Sequence, residues 1–320
     1  MHVQRSSLAD LQMAVILPCY NEEQAIGKVI RDFQKALPEA AIYVFDNNST
    51  DRTAEIARSE GAEVVHVALK GKGNVVRRMF ADVEADIYIM TDGDCTYDVS
   101  VCGQLVDKLL AENLDMVVGC RVDAGESENY RRGHRFGNRL LTGSVRRIFG
   151  GQFTDMLSGY RVFSRRFVKS FPALARGFEI ETELTVHALE LRMPWGEVAT
   201  KYGSRPDESE SKLSTYRDGF RILKTIGRLY MVERPLEFFS IFTLVLAAAS
   251  IAFSIPVFEE YFATGLVPRL PTAVLATGLM LSALLAFVCG LLLDSVTRGR
   301  QEVRRFAYLS IPGVSQKIEQ

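Results

Sequence analysis

Two stretches near the end of the chain, FFSIFTLVLAAASIAFSIPVF from Phe238 to Phe258 and TAVLATGLMLSALLAFVCGLLL from Thr272 to Leu293, contain no charged residue. Each is long enough to cross a hydrocarbon core of ~30 Å as a helix. Two buried core helices are the competing reading, and too little chain remains to cover both on all sides. Arg221, Lys224, Arg228 and Arg234 precede the first stretch and Arg298, Arg300, Arg304 and Arg305 follow the second, whereas the short loop between them has Glu259, Glu260 and Arg269. Both ends of the hairpin are therefore expected in the cytoplasm. Just upstream, Arg217, Arg221, Lys224 and Arg228 fall on one stripe of a helical pattern with Ile222, Leu223, Ile226, Leu229 and Tyr230 opposite. Such a helix suits the lipid headgroup zone; packing on the globular part with a solvated basic face is the alternative. The expected layout is a cytoplasmic domain over 1–212, an interfacial helix over 213–234, the membrane hairpin over 235–297 and a cytoplasmic tail over 298–320.

With 320 residues, the part before the hairpin is large enough for one sizeable core. A formal net charge of -1 gives no global field for nucleic acid, so anion binding has to come from local clusters. Five cysteines without a CxxC pair and four scattered histidines suggest neither a disulfide framework nor a zinc site. The short apolar run that ends at Pro18 has no small-residue cleavage site, and a signal peptide is not expected.

From Met13 to about Arg121, short apolar runs alternate with helical periodicity, the pattern of a parallel sheet covered by helices. The strands are AVILP, IYVFD, VVHV, IYIMTD and MVVGC; the helices are Glu22 to Leu37, Thr50 to Ser59, Lys72 to Ala81 and Cys102 to Glu112, the second opening from Ser49 or Thr50 as its cap. A polar, arginine-rich loop from Asp123 to Arg147 leads into a mixed region that ends near Tyr202. Ligands of such sheets bind beyond the carboxyl ends of the strands. There the sequence places Pro18, Tyr20, Asn21 and Glu22, then Asp46, Asn47, Asn48 and Ser49, then Asp92 and Asp94, then Arg121. Neither GxGxxG after the first strand nor GxxxxGK[ST] occurs, which argues against a dinucleotide enzyme and a P-loop NTPase. In TDGDCTYD, two carboxylates one glycine apart follow a very apolar strand and can hold a hard cation that also ligates a diphosphate. A solvated turn is the plainer alternative, and a calcium loop is excluded by Tyr97 and Gly103 at its sixth and twelfth positions.

Together, YNEEQ, DNNSTDRT, GKGNVVRR and TDGD resemble the family-2 glycosyltransferases of the GT-A fold, over Met13 to about Tyr202. Downstream, Arg121, RFGN, TDMLSGYRVFS, FEIETEL and YGSRPDESESKLST look like the subgroup of dolichyl-phosphate mannose synthase and bacterial polyprenyl-phosphate glycosyltransferases, some of which also end in two spans. The resemblance implies a Rossmann-like α/β domain that transfers a hexose-type sugar, with inversion, from a UDP- or GDP-linked donor to undecaprenyl or dolichyl phosphate at the inner membrane. It implies that Pro18, Tyr20, Glu22 and Asp46 hold the base and ribose, that Lys72 and Arg77 also bind the donor, and that Asp92 and Asp94 carry Mg²⁺ or Mn²⁺ and the diphosphate. Arg121 and Arg135 match arginines that grip the acceptor phosphate, and Arg205 and Lys212 match donor-phosphate contacts in a closing loop. Asp155 matches an aspartate proposed as catalytic base in some relatives. Asp94, Asp155, Arg121 and Arg135 are thus the catalytic candidates. One departure concerns the metal: some mannose synthases carry a glutamine ligand two residues beyond the second aspartate, where this chain has Thr96.

The chemistry agrees with that picture. Negative charge develops on a leaving diphosphate and a divalent cation offsets it, while a polyprenyl phosphate is already an anionic nucleophile that mainly needs positioning. The expected partners are the nucleotide sugar, the polyprenyl phosphate and membrane lipids, with no nucleic acid. A homo-oligomer, with a tetramer among its forms, is expected from related enzymes and from the small residues Ala247, Ala248, Ala249, Gly278 and Ala283. Three alternatives are weighed: a processive polysaccharide synthase, although QxxRW is absent; a nucleotidyltransferase, although PCYNEEQ is not its Gly-rich Arg and Lys loop; and a non-catalytic membrane scaffold. Arg131, Arg132, Arg146 and Arg147 serve equally well as a solvated face beside anionic lipid.

Overall fold

The computed structural model describes residues 11–122, 153–175, 179–203 and 230–314, with residues 143, 150, 177, 224, 227 and 228 between them. Runs of β-branched and aromatic residues become strands where both faces can be covered. Along β1 (Met13–Cys19), Val15 and Leu17 enter one apolar layer and Ala14 and Ile16 the other. There follow α1 (Ile26–Ala36), β2 (Ala41–Asp46), α2 (Thr53–Ser59), β3 (Glu63–His66), α3 (Lys72–Asp82), β4 (Ile87–Met90), α4 (Cys102–Ala111) and β5 (Met116–Val122). After the undescribed stretch come β6 (Arg161–Ser164), α5 (Arg165–Ser170), α6 (Ile180–Glu190) and β7 (Trp195–Lys201). One side of the sheet packs Ile30 and Phe33 of α1 with Leu105 and Leu109 of α4; the other packs Phe80 of α3 with Phe167 of α5 and Leu184 of α6.

The strand order is β3-β2-β1-β4-β6-β5-β7. All pairings are parallel except those of β6, which runs against both β4 and β5. The five expected strands are present, and β6 and β7 resolve the mixed region. Two helix starts differ from expectation. The first helix begins at Ile26, because Glu22 to Ala25 form a turn in which the Glu22 carbonyl accepts from the Ala25 and Ile26 N–H groups. The second begins at Thr53, and its opening contact is the Asp51 carboxylate accepting from the Thr53 N–H, so neither Ser49 nor Thr50 is its cap. Short polar side chains here bond to neighbouring loops instead of continuing a helix.

The opposite edge of the sheet has a buried hub. Asp115, which precedes β5, accepts from Ser164 Oγ at 2.6 Å, Arg166 Nε and Nη2 at 2.5 and 2.9 Å, and Tyr308 Oη at 2.8 Å. The Arg166 guanidinium also lies over the Tyr308 ring, and Arg304 pairs with Glu190 at 3.1 Å. These contacts explain why residues 304–320 group with residues 1–223 in one compact unit, while Lys224–Val303 form a second. His187 is buried between the Phe167 and Phe171 rings, with Nε2 at 3.1 Å from Ser170 Oγ.

The second unit contains α7 (Pro235–Thr264) and most of α8 (Leu270–Leu309). Pro235 starts α7 where a missing N–H costs nothing, and Gly265 ends it at φ 72. The two helices meet through small residues: Ser250 Oγ donates to the Ala276 carbonyl at 2.7 Å, Ala283 and Ala286 are buried, and Gly290 lies against Phe239. Ala283 is thus used within the chain. Only 6% of the most apolar window of α7 and 22% of that of α8 is buried, so the large apolar side chains face outward, as in helices made for a bilayer and unlike core helices. At 40 residues α8 is about twice the length a span needs, and it continues past Leu293 into the polar sequence that ends in the Tyr308 contact.

Two stability predictions follow from the first unit. Asp115→Ala should lower its unfolding free energy by about 2–3 kcal/mol, because three side chains lose their acceptor, and Tyr308→Phe by about 1 kcal/mol. Urea unfolding followed through Trp195, the single tryptophan, measures both. Burial, reinforced by the Arg304 charge, pushes the His187 imidazole down from 6.5 to about 3. The unfolded chain then binds the extra proton below 6.5, so this group's contribution is complete above that pH and is lost as pH falls towards 3. Between pH 6.5 and 5 the loss should be about 2 kcal/mol, and His187→Gln should flatten that part of the stability profile.

Candidate active site

Because β6 runs backwards, its first residue, Arg161, lies at the edge where β1, β2, β4, β5 and β7 end. The loops after β1 and β2 interlock there. The Asn21, Glu22 and Glu23 N–H groups donate to Ser49 Oγ, Thr53 Oγ1 and Asp51 Oδ2, and the Thr50 and Arg52 N–H groups donate back to Asn21 Oδ1 and Glu23 Oε2. Pro18 is the last residue but one of β1, Tyr20 is exposed just beyond the strand, and Glu22 is buried. The buried Asp46 carboxylate accepts from the Ser49 N–H and lies 3.5 Å from His66 Nδ1, so it closes its own turn instead of capping α2. Asn47 donates to the Val67 and Leu69 carbonyls and accepts from the Gly71 N–H at 2.7 Å. Gly71, at φ 121, then delivers Lys72 into α3.

Lys72 is the centre of the site. Its Nζ lies 2.6 Å from Asp92 Oδ1 and 2.6 Å from Glu181 Oε1, joining α3, the loop after β4 and the first turn of α6. Burial alone would depress the ammonium, but the two carboxylates outweigh it and hold Lys72 above the ordinary lysine value. Asp92 is the most open of the three, at 31% side-chain exposure, against 10% for Lys72 and 6% for Glu181. The Gly159 backbone abuts Asp92: a Cβ there would sit 2.8 Å from Oδ2.

Asp94 is buried, and its Oδ1 accepts from Thr96 Oγ1 at 2.6 Å and from the Thr96 N–H at 3.2 Å. Beyond β5, Arg121 and Asp155 form a two-pronged pair, Nε to Oδ2 and Nη2 to Oδ1 at 2.7 Å each, and the Arg121 N–H also donates to Oδ2. The Arg121 guanidinium lies 5.4 Å from the centre of the Tyr202 ring. Arg161 is fully buried and donates to the Ser158, Met156 and Glu181 carbonyls and to Thr185 Oγ1, which ties the Asp155 loop to α6. Burial lowers the Arg161 guanidinium from its ordinary value. A groove of about 710 Å³ beside Cys95 and Thr96 is lined by none of Asp92, Asp94, Arg121 and Asp155, so it is separate from this chemistry.

The structure thus brings Lys72 to Asp92 and Arg121 to Asp155, with Asp94 on the loop beside them. Arg77 goes elsewhere, donating to the Ala173 carbonyl at 2.9 and 2.6 Å. Arg135, Arg205 and Lys212 lie outside the described residues, as do Arg131, Arg132, Arg146, Arg147 and much of the 213–234 stretch, including Arg217 and Arg221. Glu181, Arg161 and Tyr202 are not singled out as site residues by the sequence, whereas Asn47 is among the polar residues expected after the second strand. Glu181 and Arg161 lie within quoted motifs, but Lys72, the partner of Glu181, is distant in the chain, and the acceptors that tie Arg161 to α6, Glu181 and Thr185, are brought to it by the fold.

Replacing Lys72 by Met should cost about 3–5 kcal/mol of unfolding free energy, because Asp92 and Glu181 would face each other without the cation between them. Urea unfolding of the variant against the parent tests this.

Among proteins of known family, a model described as Glycosyl transferase family 2 matches residues 14–171. Glycosyltransferase AglJ of Haloferax volcanii is 31% identical over 299 residues, covering 93% of this chain and 98% of the relative. Dolichyl-phosphate hexose transferase of the same organism is 29% identical over 222 residues, covering 69% of this chain and 95% of the relative. Among solved structures, glucosyl-3-phosphoglycerate synthase from Mycobacterium tuberculosis, crystallised with Mn²⁺, UDP and glucosyl-3-phosphoglycerate, superposes with a TM-score of 0.57 at 24% identity, over 69% of this chain and 81% of that one. That likeness concerns the fold, the GT-A arrangement of a mostly parallel mixed sheet, while the near full-length match to AglJ carries the family. The chain belongs to glycosyl transferase family 2.

Proposed function

We propose that this glycosyltransferase moves a hexose-type sugar from a nucleotide sugar, UDP-linked in preference to GDP-linked, onto a polyprenyl phosphate at the cytoplasmic face of the inner membrane. The observation that carries the reading is the pairing, at one sheet edge, of an acid–lysine–acid set with a guanidinium held by a carboxylate, in a chain that continues into two helices of membrane-spanning length. The name of the dolichyl-phosphate hexose transferase relative supports a lipid-phosphate acceptor. In this layout the catalytic domain, 1–212, is followed by an interfacial helix and the hairpin, and the chain self-associates through the hairpin.

Among the described residues, no group of three or more His, Cys, Asp and Glu side chains forms a cation cage. Asp92 and Asp94 are nonetheless hard oxygen donors on one loop, and the Asp94 carboxylate is oriented by Thr96, which fits Mg²⁺ or Mn²⁺ completed by diphosphate oxygens. The Mn²⁺ bound by the mycobacterial synthase supports this choice. Such an ion supplies charge neutralisation for the leaving diphosphate. Pro18, Tyr20, Glu22 and Asp46 hold the base and ribose, and Lys72 keeps Asp92 in place. Arg205 and Lys212 complete the donor contacts in this reading, while Arg77 holds the Ala173 carbonyl instead. Arg121 and Arg135 bind the acceptor phosphate, with Asp155 orienting Arg121. The phosphate oxygen then attacks the anomeric carbon as its bond to the nucleoside diphosphate breaks, with inversion.

Membranes carrying the chain should convert a labelled nucleotide sugar into a labelled lipid when undecaprenyl phosphate is supplied, and a donor panel identifies the sugar. Asp92→Asn should reduce transfer by about 100-fold or more, the scale of losing one electrostatic stabiliser. A labelled polymer would indicate a processive synthase, and no transfer with any donor a non-catalytic scaffold.

A further inference from the structure

We propose that Thr96 is a positioning residue that fixes the Asp94 carboxylate for its cation and links that setting to Arg121 on the acceptor side. The inference rests on the proposed reading of Asp92 and Asp94 as cation ligands. Thr96 lies two residues beyond Asp94, and its short hydroxyl turns back to that carboxylate. Both its Oγ1–H and its N–H donate to one oxygen, Asp94 Oδ1, at 2.6 and 3.2 Å, across Cys95 in the left-handed region at φ 58. Asp94 and Thr96 are each 2% exposed, so water does not offer competing donors. A carboxylate held this way cannot turn about its Cβ–Cγ bond without losing both bonds, so its plane is fixed before a cation arrives.

The same residue is tied across the site. The Thr96 carbonyl accepts from the Gly203 N–H at 2.8 Å, and the next residue, Tyr97, forms a β-bridge to Tyr202. The Tyr97 and Tyr202 rings meet edge to face at 5.2 Å, and the Arg121 guanidinium lies 5.4 Å from the centre of the Tyr202 ring. Tyr97 Oη also accepts from the N–H of Gly159, whose backbone abuts Asp92. An unbroken series of contacts therefore runs from Asp94 through Thr96 and Tyr202 to Arg121 and Asp155. Moving Thr96 shifts both the cation ligand and the arginine.

The test uses the full chain in detergent with UDP present, and reads Mn²⁺ binding directly by electron paramagnetic resonance. Thr96→Ser keeps the hydroxyl and should bind within about twofold of the parent, while Thr96→Val should bind about tenfold or more weakly, the scale of one hydrogen bond to a charged group. At saturating Mn²⁺ the valine variant should still show a raised KM for polyprenyl phosphate. Thr96→Ala serves in its place if the valine variant fails to unfold cooperatively by Trp195 fluorescence. Parental Mn²⁺ affinity in a folded Thr96→Val or Thr96→Ala variant would overturn the proposal, as would equal losses in the serine and valine variants. A parent chain that binds no Mn²⁺ with UDP would instead remove the cation reading on which it rests.

Discussion

A buried ammonium shared by two carboxylates is the constraint around which this sheet edge is organised. Desolvating a single ion costs several kcal/mol even after relaxation, so Lys72 and Glu181 can be buried only as partners, with the half-open Asp92 completing the set. Each comes from a different segment, and their pairing fixes the start of α3, the loop after β4 and the first turn of α6 relative to one another. Asn47 extends the constraint to the first half of the sheet, because its side chain holds the Gly71 N–H at the residue before Lys72. One negative charge remains from the three groups. A second carboxylate on the same loop, Asp94, adds to it, and this excess of negative charge is what the proposed cation reading rests on.

The reversal of β6 is what gives the site its second half. In an all-parallel sheet the strand beside β4 would end at this edge; here β6 begins there, and the Asp155–Tyr160 loop arrives instead of leaving. That loop carries Asp155 to Arg121 and Gly159 to Asp92. Its shape is held by Arg161, whose guanidinium gathers two carbonyls of the loop and one of α6 in the interior. A guanidinium is suited to this, since its five donors lie in a fixed plane and it keeps its charge even where burial lowers its affinity for the proton. Arg161 therefore ties Asp155 to the helix that carries Glu181.

The strands up to β5 were legible because each is a short apolar run ended by polar residues, and a parallel sheet buried on both faces needs little more. β6 was not, because RVFS is four residues long and begins with an arginine, a residue rarely buried without a local reason. That reason is the Met156, Ser158 and Glu181 carbonyls, which no sequence period reveals. The helix starts were misplaced by three or four residues where Asn21, Ser49, Thr50 and Asp51 bond across to a neighbouring loop, a choice set by tertiary contact. In the site, Asp92, Asp94 and Arg121 were legible from their positions after strands. Glu181 was not, because it looks like one more acid in the first turn of a helix until Lys72 is placed beside it.

The Arg121–Asp155 pair bears on what kind of chemistry the site is built for. A general base has to aim a lone pair at the proton it removes, yet the Asp155 carboxylate is turned towards one guanidinium by both of its oxygens. With an alcohol as acceptor that would be a poor arrangement. With a phosphate monoester it is a suitable one, since the nucleophile is already anionic and no proton has to leave. What such an acceptor requires is a positive group held still, and a two-pronged carboxylate pair with an aromatic face beside it restrains an arginine more firmly than either contact alone. In the proposed reading, then, Asp155 acts through Arg121, and the acceptor's own charge takes the place of a base.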